Sequence, residues 1–242
     1  MRRIVAFFLV FVTCCLPSIF GAVEMPGKEY LQGLTWLGHA SFKLVRGGVT
    51  VYFDPWKVKA EPHDADLILI GHPHFDHCDP SSVAKVAKKE TTILTVADSA
   101  EKLKSSQVPG TIQVVKPGDT AKVKGIKVEV LPAYNTNKNF HPKENQWAGF
   151  VVEVEGVRFY HAGDTDFIPE MRGLEVDVAL LPVSGIYVMS AEEAAEAAKM
   201  MKPKVCVPMH YGDIVGSAAD AKRFQELATG LVVEIMEKKE EG

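Results

Sequence analysis

The chain has 242 residues, of which 47% are hydrophobic and 24% are charged, and its formal net charge is −4. This composition is that of an ordinary globular protein, which can bury a large core, and we predict one domain. The slightly acidic balance excludes a dominant basic surface, so nucleic acid is not expected as a partner. A small molecule is the partner that we expect instead.

Residues 1–22 have the layout of a secretory signal peptide. Two arginines precede an apolar stretch at residues 4–12, and small or turn-forming residues follow it. Thr13 and Pro17 interrupt the apolar run before it reaches the roughly 20 residues that a spanning helix needs. We therefore expect export to the periplasm or the medium, cleavage that leaves residues 23–242, and no membrane span afterwards. A membrane anchor formed by an uncleaved N-terminus is the alternative.

Most of the remaining chain alternates apolar and polar residues with a period of two, which predicts β-strands. In chain order the predicted strands cover residues 34–37, 41–45, 49–54, 66–70, 92–96, 111–115, the neighbourhood of 122, 126–131, 149–154, 157–161, 178–182, 205–209 and 231–236. The strand at 66–70 is apolar throughout, which predicts that both of its faces are buried.

Three helices are predicted between these strands. Asp79 and Pro80 supply an N-cap and a first-turn proline for a helix that runs through Lys88. Ser190 begins a second helix with a capping box and a face of small residues. A third helix is predicted at residues 217–228, followed by a glycine and then by a charged tail at the end of the chain.

The hexapeptide His72-Pro73-His74-Phe75-Asp76-His77 directly follows the apolar strand. Imidazole and carboxylate are ligands that zinc, manganese and iron accept, and four of them in six residues are costly to bury without a metal. In an extended chain the side chains of His72, His74 and Asp76 point one way, and that of His77 turns to the other side. The pattern predicts a metal centre where a buried strand meets a helix, with one ion at the first pair and a second at the Asp-His pair.

Three further candidate ligands lie at the ends of predicted strands or in the loops beyond them. Asp164 follows Gly163, which lets the backbone turn sharply, and His210 follows the strand at 205–209. His141 lies in a polar loop at residues 133–147, which is long for a connection and is therefore expected to be functional or mobile. Taken singly, they could also be a turn cap, a core histidine and a solvated loop residue.

Taken together, these segments resemble the metallo-β-lactamase-fold hydrolases, and within them the lactonase and phospholipase-D-like branch that includes ascorbate-6-phosphate lactonase. The resemblance covers nearly all of the chain after residue 22. It is carried by the hexapeptide and by Thr35-Trp36-Leu37-Gly38-His39, Phe53-Asp54-Pro55-Trp56, His161-Ala162-Gly163-Asp164-Thr165 and Pro208-Met209-His210-Tyr211-Gly212. It implies an α+β fold of four αββα layers, in which two mixed β-sheets pack face to face with helices outside.

The resemblance also implies seven ligands for two divalent ions. They are His72, His74 and His141 for the first ion, Asp76, His77 and His210 for the second, and Asp164 as the bridge between them. His141 is assigned because it is the only histidine between His77 and His161. Zinc is the first expectation for both ions, with manganese or iron as alternatives.

Two cations would lower the pKa of a shared water toward neutrality, so the expected nucleophile is a metal-bound hydroxide. Asp76 is expected to orient that hydroxide, and three outer residues are expected to hydrogen-bond a ligand or to protonate the leaving group. These catalytic candidates are Asp76, His39, His161 and Tyr211. Asp54 is expected to orient a ligand imidazole, and Lys138 and Lys143 to contact an anionic substrate.

The expected function is therefore that of an exported dinuclear-metal hydrolase, which acts on a phosphodiester, a lactone or a related ester ahead of β-lactams. A non-catalytic metal-binding protein of the cell envelope is the alternative from another class, and an open coordination position would distinguish the two. A nuclease is a weaker alternative because no basic insertion is present. Either a monomer or a homo-oligomer is compatible with the sequence.

Overall fold

A computed structural model describes residues 27–239, so the predicted signal peptide lies outside the described residues. The strands are β1 (Leu34–Gly38), β2 (Ser41–Arg46), β3 (Val49–Phe53), β4 (Ala65–Ile70), β5 (Ala87–Thr95), β6 (Thr111–Val114), β7 (Thr120–Val123), β8 (Ile126–Pro132), β9 (Ala148–Val154), β10 (Val157–His161), β11 (Val178–Pro182) and β12 (Val205–Met209). The helices are α1 (Pro80–Val86), α2 (Ala97–Ser105), α3 (Ala191–Met201) and α4 (Ala218–Leu227). Within this described part of the chain, no helix is long and apolar enough to cross a membrane.

The strands form two mixed sheets of six strands each. The first sheet has the order β1-β2-β3-β4-β5-β6, antiparallel from β1 to β3 and parallel from β3 to β6. The second has the order β12-β11-β10-β9-β8-β7, parallel from β12 to β10 and antiparallel from β10 to β7. Each sheet thus contains parallel strands whose carboxyl ends open on a shared edge.

Strand β4 shows how the layers are built. Its side chains alternate, so that Leu67 and Leu69 belong to the large core between the sheets. Ile68 and Ile70 belong to a second core, which they share with apolar residues of α1 and α2. Buried alanines of α3 and Phe224 of α4 join the large core beside the second sheet. Helices therefore cover the sandwich, and the predicted αββα class is confirmed.

The backbones of the two sheets touch at Gly71, the residue before the hexapeptide. Its carbonyl accepts a 3.0 Å hydrogen bond from the amide of Ala148, the first residue of β9. A Cβ atom at position 71 would lie 2.2 Å from the carbonyl oxygen of Ala148, so only glycine fits there without a shift. This close approach sets how near the hexapeptide stands to the second sheet.

The predicted capping residues are confirmed at two helices. The Asp79 side chain accepts a 3.1 Å hydrogen bond from the Ser81 amide at the start of α1. Ser190 and Glu193 form a reciprocal capping box at the start of α3, with bonds of 2.8 and 3.2 Å. These polar pairs satisfy amides that a helix N-terminus otherwise leaves without partners.

Two local predictions were wrong, and one helix was missed. The helix expected through Lys88 ends at Val86, because Ala87 is extended and begins β5 by pairing with Ala65 of β4. Helix α2 was not predicted, since no side chain caps its N-terminus and its buried face has little apolar surface. The strand expected at residues 231–236 is reduced to one parallel bridge between Cys206 and Val233.

Candidate metal centre

The seven predicted metal ligands meet at one edge of the sandwich. The hexapeptide follows β4, His141 lies between β8 and β9, Asp164 follows β10, and His210 follows β12. Because the carboxyl ends of neighbouring parallel strands lie on the same edge of a sheet, the chain delivers ligands from both sheets to one place. Six of the seven are buried or nearly so, and His74 is the least buried.

The ligand atoms fall into two groups, and within each group they lie within 4.8 Å of one another. The first ligand group is His72, His74, His141 and Asp164. The second ligand group is His39, Asp76, His77 and His210. The first group contains the three histidines that the resemblance implied for one ion, together with Asp164, and the second contains the three residues that it implied for the other ion, together with His39.

Asp164 stands between the two groups. Its Oδ2 atom lies 3.2 Å from Nε2 of His141 and 3.2 Å from Nε2 of His210. Its Oδ1 atom lies 3.2 Å from Nε2 of His77. One carboxylate thus faces histidines of both groups, which is the position that a bridging ligand requires.

Several buried polar atoms at this edge have no hydrogen-bond partner. They are Nε2 of His72, His77 and His141, Nδ1 of His39, and Oδ1 of Asp164. An unsatisfied buried polar atom costs about 1–3 kcal/mol, so a cluster of them requires an explanation. Divalent cations satisfy imidazole nitrogens and carboxylate oxygens together, and the residues present therefore fit a metal centre.

The charges support the same conclusion. Burial and the neighbouring His77 hold the pKa of His72 well below its usual value, which keeps the imidazole neutral and able to bind a metal. Burial opposes ionisation of Asp164, but His210 and His77 hold its pKa well below the usual range. For His77, the carboxylates of Asp164 and Asp54 outweigh burial and raise the pKa well above its usual value. The negative charge of Asp164 is thus balanced by the histidines that surround it.

His77 is oriented by Asp54, as the sequence suggested. The Nδ1 atom donates a 2.7 Å hydrogen bond to Oδ2 of Asp54, which follows β3 and is 1% exposed. The other oxygen of Asp54 accepts a 3.1 Å bond from the amide of Gly71. Asp54 thus fixes the orientation of the ring, and Nε2 lies 3.2 Å from Oδ1 of Asp164 and 3.8 Å from Oδ2 of Asp76.

His141 is held by a network that the sequence did not reveal. Its Nδ1 atom lies 3.2 Å from both Oδ1 of Asn135 and the carbonyl oxygen of Tyr187, so this nitrogen carries the proton. The Asn135 amide donates in turn to Asp166 at 3.1 Å. Asp166 is completely buried and also accepts bonds from the Thr136 amide and the Lys138 ammonium, at 2.7 and 2.6 Å. The polar loop is therefore ordered around one carboxylate.

His39 occupies a turn between β1 and β2 with a φ of 52°, and its Nε2 atom donates to Oδ2 of Asp76 at 3.0 Å. The ring is completely buried, and its centroid lies 3.9 Å from that of His210. Burial works against ionisation of Asp76, yet the bond from His39 and the charge of His77 lower the pKa of Asp76 to about 2. Asp76 is thus an ionised carboxylate that His39 holds in place.

Comparison with known proteins identifies the family. The beta-lactamase superfamily domain matches residues 33–210. A UPF0173 metal-dependent hydrolase of Thermococcus onnurineus is 34% identical over 205 residues, which are 79% of this chain and 90% of that protein. A UPF0173 metal-dependent hydrolase of Archaeoglobus fulgidus is 33% identical over 221 residues, which are 84% of this chain and 94% of that protein. The chain belongs to this family of metal-dependent hydrolases.

Solved structures agree with this assignment. Igni18, a metallo hydrolase of Ignicoccus hospitalis, has a TM-score of 0.70 and 28% identity, with 86% of this chain and 95% of that chain covered. A Parabacteroides distasonis protein assigned as a metal-dependent hydrolase has a TM-score of 0.73 and 34% identity, with 85% and 93% covered. The predicted enzyme class, a metal-dependent hydrolase of the metallo-β-lactamase superfamily, is therefore confirmed.

The structure places two predicted catalytic residues of the hydrolase away from the ligand groups. His161 donates from Nε2 to the carbonyl oxygen of Ala40 at 2.8 Å, and its ring stacks on Phe53 with centroids 5.3 Å apart. Tyr211 packs against Trp36 with centroids 5.0 Å apart, and burial raises the pKa of its hydroxyl to about 12. Both side chains therefore pack beside the metal ligands without belonging to either ligand group. Neither is among the residues that line the metal cavity.

The two predicted substrate-binding lysines are already engaged. Lys138 lies 2.6 Å from Asp166 and 3.7 Å from Glu193. Lys143 lies 2.9 Å from Glu170, whose carboxylate raises the pKa of the lysine. Both lysines thus have carboxylate partners within the protein.

A cavity of about 250 Å³ leads from the surface of the hydrolase to the ligand groups. His74, Asp76, His141, Asp164 and His210 line its floor. A substrate can thus reach members of both ligand groups from one side.

Proposed function

We propose that this hydrolase uses two metal ions, one in each ligand group, to hydrolyse an ester, a lactone or a phosphodiester. The observation that carries the proposal is Asp164, whose two oxygens face histidines of both groups at 3.2 Å. A carboxylate in that position can be shared by two ions. The open cavity beside it is typical of catalytic sites, whereas structural metal sites are closed.

When bound, two divalent ions supply a water of lowered pKa and polarise a scissile carbonyl or phosphoryl oxygen. The chain's own residues do the rest. Asp76 is ionised and lines the cavity, so it can accept a hydrogen bond from the attacking water and orient it. His39 fixes the direction of that carboxylate by its 3.0 Å bond. Asp54 and Asn135 set the ring orientations of His77 and His141.

Metal content tests the first part of this proposal. Purified protein, dialysed after loading, is expected to retain about two divalent ions per chain, because seven ligands exceed one tetrahedral shell. Elemental analysis measures the number and also the identity, for which we propose zinc ahead of manganese and iron. A fully folded protein that binds no divalent ion would contradict the proposal.

The role of His141 has its own test. His141→Ala is expected to lower the occupancy of the first ligand group by a factor similar to that of His74→Ala. Both changes remove one imidazole from the same group of four. Unchanged metal stoichiometry in His141→Ala would show that the polar loop supplies no ligand.

The reaction is tested with a panel of simple lactones, activated esters, activated phosphodiesters and β-lactams. Turnover of at least one class by the metal-loaded protein, and its loss on chelation, are expected. The lactonase and phospholipase-D-like resemblance places lactones and phosphodiesters ahead of β-lactams. Absence of turnover across the panel with both ions bound would contradict these substrate classes.

We also propose that the hydrolase is exported. The support comes from the sequence of residues 1–22, in which two arginines precede a short apolar run. Mass spectrometry of the native protein from its own cells is expected to give an N-terminus near Val23. An intact Met1 in a cytoplasmic fraction would refute export without affecting the proposed reaction.

A further inference from the structure

Several large hydrophobic side chains that the protein exposes surround one opening, the mouth of the metal cavity. Phe75 is 64% exposed, Phe140 47% and Ile214 40%, and all three line the cavity. Tyr187 lines it as well, and its ring meets that of Phe140 edge to face with centroids 4.6 Å apart. These four residues, Phe75, Phe140, Tyr187 and Ile214, are called the apolar rim below.

Single exposed hydrophobic residues are normal on a protein surface, but a cluster around a cavity marks a binding site. Four other described side chains are exposed to a similar degree and do not line the metal cavity, namely Val45, Val114, Ile186 and Met200. Phe75 lies within the hexapeptide, between His74 and Asp76. The apolar rim and the metal ligands thus line one and the same cavity.

The charges around the cavity favour a substrate whose part in contact with the apolar rim is uncharged. Of the described residues, no lysine or arginine lines the cavity. Lys138, two residues before Phe140, is bound to Asp166. Lys238 is bound at 3.1 Å to Asp213, which precedes Ile214. A negative charge on the part of a substrate that lies in the cavity would thus meet no lysine or arginine among the described residues that line it.

We propose that the apolar rim binds a short, uncharged alkyl or aryl group of the substrate, while the metal centre holds the scissile bond. The proposal rests on the proposed hydrolysis and narrows its substrate class to small molecules with an apolar substituent. The cavity volume of about 250 Å³ lies just below the roughly 300 Å³ at which pockets for drug-sized ligands begin, so the group is short. Phe75, Phe140, Tyr187 and Ile214 are then specificity-determining residues.

Binding of hydroxamic acids tests the proposal without turnover, because their head group chelates metal ions and their tail is variable. Isothermal titration of the zinc-loaded full chain compares acetohydroxamic, butanohydroxamic and hexanohydroxamic acids. Each methylene that the apolar rim buries is expected to tighten binding up to about fourfold, which corresponds to ~0.8 kcal/mol. Adipic acid monohydroxamate, whose tail ends in a carboxylate, is expected to bind at least about tenfold more weakly than hexanohydroxamic acid.

Variants locate the effect. Phe140→Ala and Ile214→Ala remove exposed side chains, and each is expected to flatten the dependence on tail length, so that hexanohydroxamic acid loses more affinity than acetohydroxamic acid. Met200→Ala, an exposed position on α3 outside the cavity, is the matched control and is expected to keep the full dependence. Equal affinity for all tail lengths in the unaltered protein, or preference for the carboxylate tail, would overturn the proposal.

A second copy of the chain is the competing occupant of the apolar rim. Sedimentation velocity of the unaltered protein and of Phe140→Ala distinguishes a second copy from a substrate. A dimer that dissociates on substitution would assign the rim to self-association and overturn the proposal.

Acetohydroxamic acid binding reports on the metal centre, and the hydrolysis panel reports on the reaction. A failure of the proposed function is therefore separable from a failure at the apolar rim.

Discussion

The hexapeptide and the polar loop both deliver histidines to the metal centre, but the chain supports them differently. The hexapeptide lies between β4 and α1, and a single buried carboxylate, Asp54, holds both His77 and the amide of Gly71. His141 sits in a loop without regular strands, and a chain of bonds through Asn135 to Asp166 holds it. A ligand next to regular structure needs one orienting partner, whereas a ligand in a long loop needs a network that orders the loop first.

The largest expected effect comes from removing the carboxylate of Asp164, which lies between the two ligand groups. Asp164→Ala deletes the carboxylate that faces both ligand groups, so both ions are expected to be lost and hydrolysis to fall by several orders of magnitude. Elemental analysis and the hydrolysis panel measure these losses, with the exposed Glu226→Ala as the control. Retention of both ions and full activity would mean that the groups are independent.

The next effect separates the two regions. Asp54→Asn cannot accept hydrogen bonds from both His77 and Gly71, so the second ligand group is expected to lose metal affinity by about 10- to 100-fold. The first group is expected to change much less, because Asp54 contacts none of its members. Competition with a chromophoric chelator resolves the two affinities, and equal weakening of both would contradict the separation.

Asp166→Asn is the matching change in the polar loop, and we expect about a tenfold loss of affinity confined to the first ligand group. The loss is smaller because Asp166 acts on His141 through Asn135. The double variant Asp166→Asn, Lys138→Met removes the lysine that would otherwise lack this partner and is expected to recover part of the stability. An effect on the second group instead would show that the loop network supports the whole site.

The smallest expected effect concerns Asp66, which contributes to the stability of the fold and does not contact the metal centre. Asp66, near the end of β4 away from the hexapeptide, accepts a 2.9 Å bond from the Thr50 amide and pairs with Lys88 and Lys124. Burial opposes its ionisation, but these partners lower its pKa from 3.8 to about 2. The resulting stability is fully present above pH ~4 and is lost as the pH falls toward 2, since only the unfolded state then gains a proton.

Asp66→Asn should therefore lower the free energy of unfolding by about 1–2 kcal/mol at pH 7, and the difference from the unaltered protein should vanish near pH 2. Urea denaturation at several pH values measures it. Metal affinity is expected to stay unchanged in this variant. A difference that persists at pH 2 would mean that packing, and not the ion pairs, accounts for the contribution of Asp66.

How far the sequence predicted this site depended on how local the signal was. The hexapeptide was recognisable because four ligands occur in six residues after an apolar strand, and Asp164 and His210 follow strand ends. The assignment of His141 required the family resemblance. Asp166, two residues after Asp164, resembles any aspartate in a turn, and only the fold shows that it is buried under the polar loop.

The fold was predictable where periodicity and capping agreed. Helix α3 has a capping box and a regular buried face, and it appears where expected. Helix α2 has no capping side chain, and its buried residues are Ser99, Ala100 and Leu103, so its sequence carries little amphipathic signal. The position of His39 in the second ligand group depends on a turn with positive φ, which no short sequence pattern around it indicated.

The contact at Gly71 couples metal binding to folding. The hexapeptide follows β4 of the first sheet, and Asp164 and His210 follow β10 and β12 of the second, so a complete site exists only when the two sheets are docked. An ion that binds only the docked state stabilises it by thermodynamic linkage, by about 1.4 kcal/mol for each tenfold rise in free ion above the dissociation constant. A methyl group at position 71 would lie 2.2 Å from the carbonyl oxygen of Ala148, so the backbone there would have to shift, and we expect both the docking of the sheets and metal binding to weaken. Metal supply and thermal stability of this hydrolase should therefore rise and fall together.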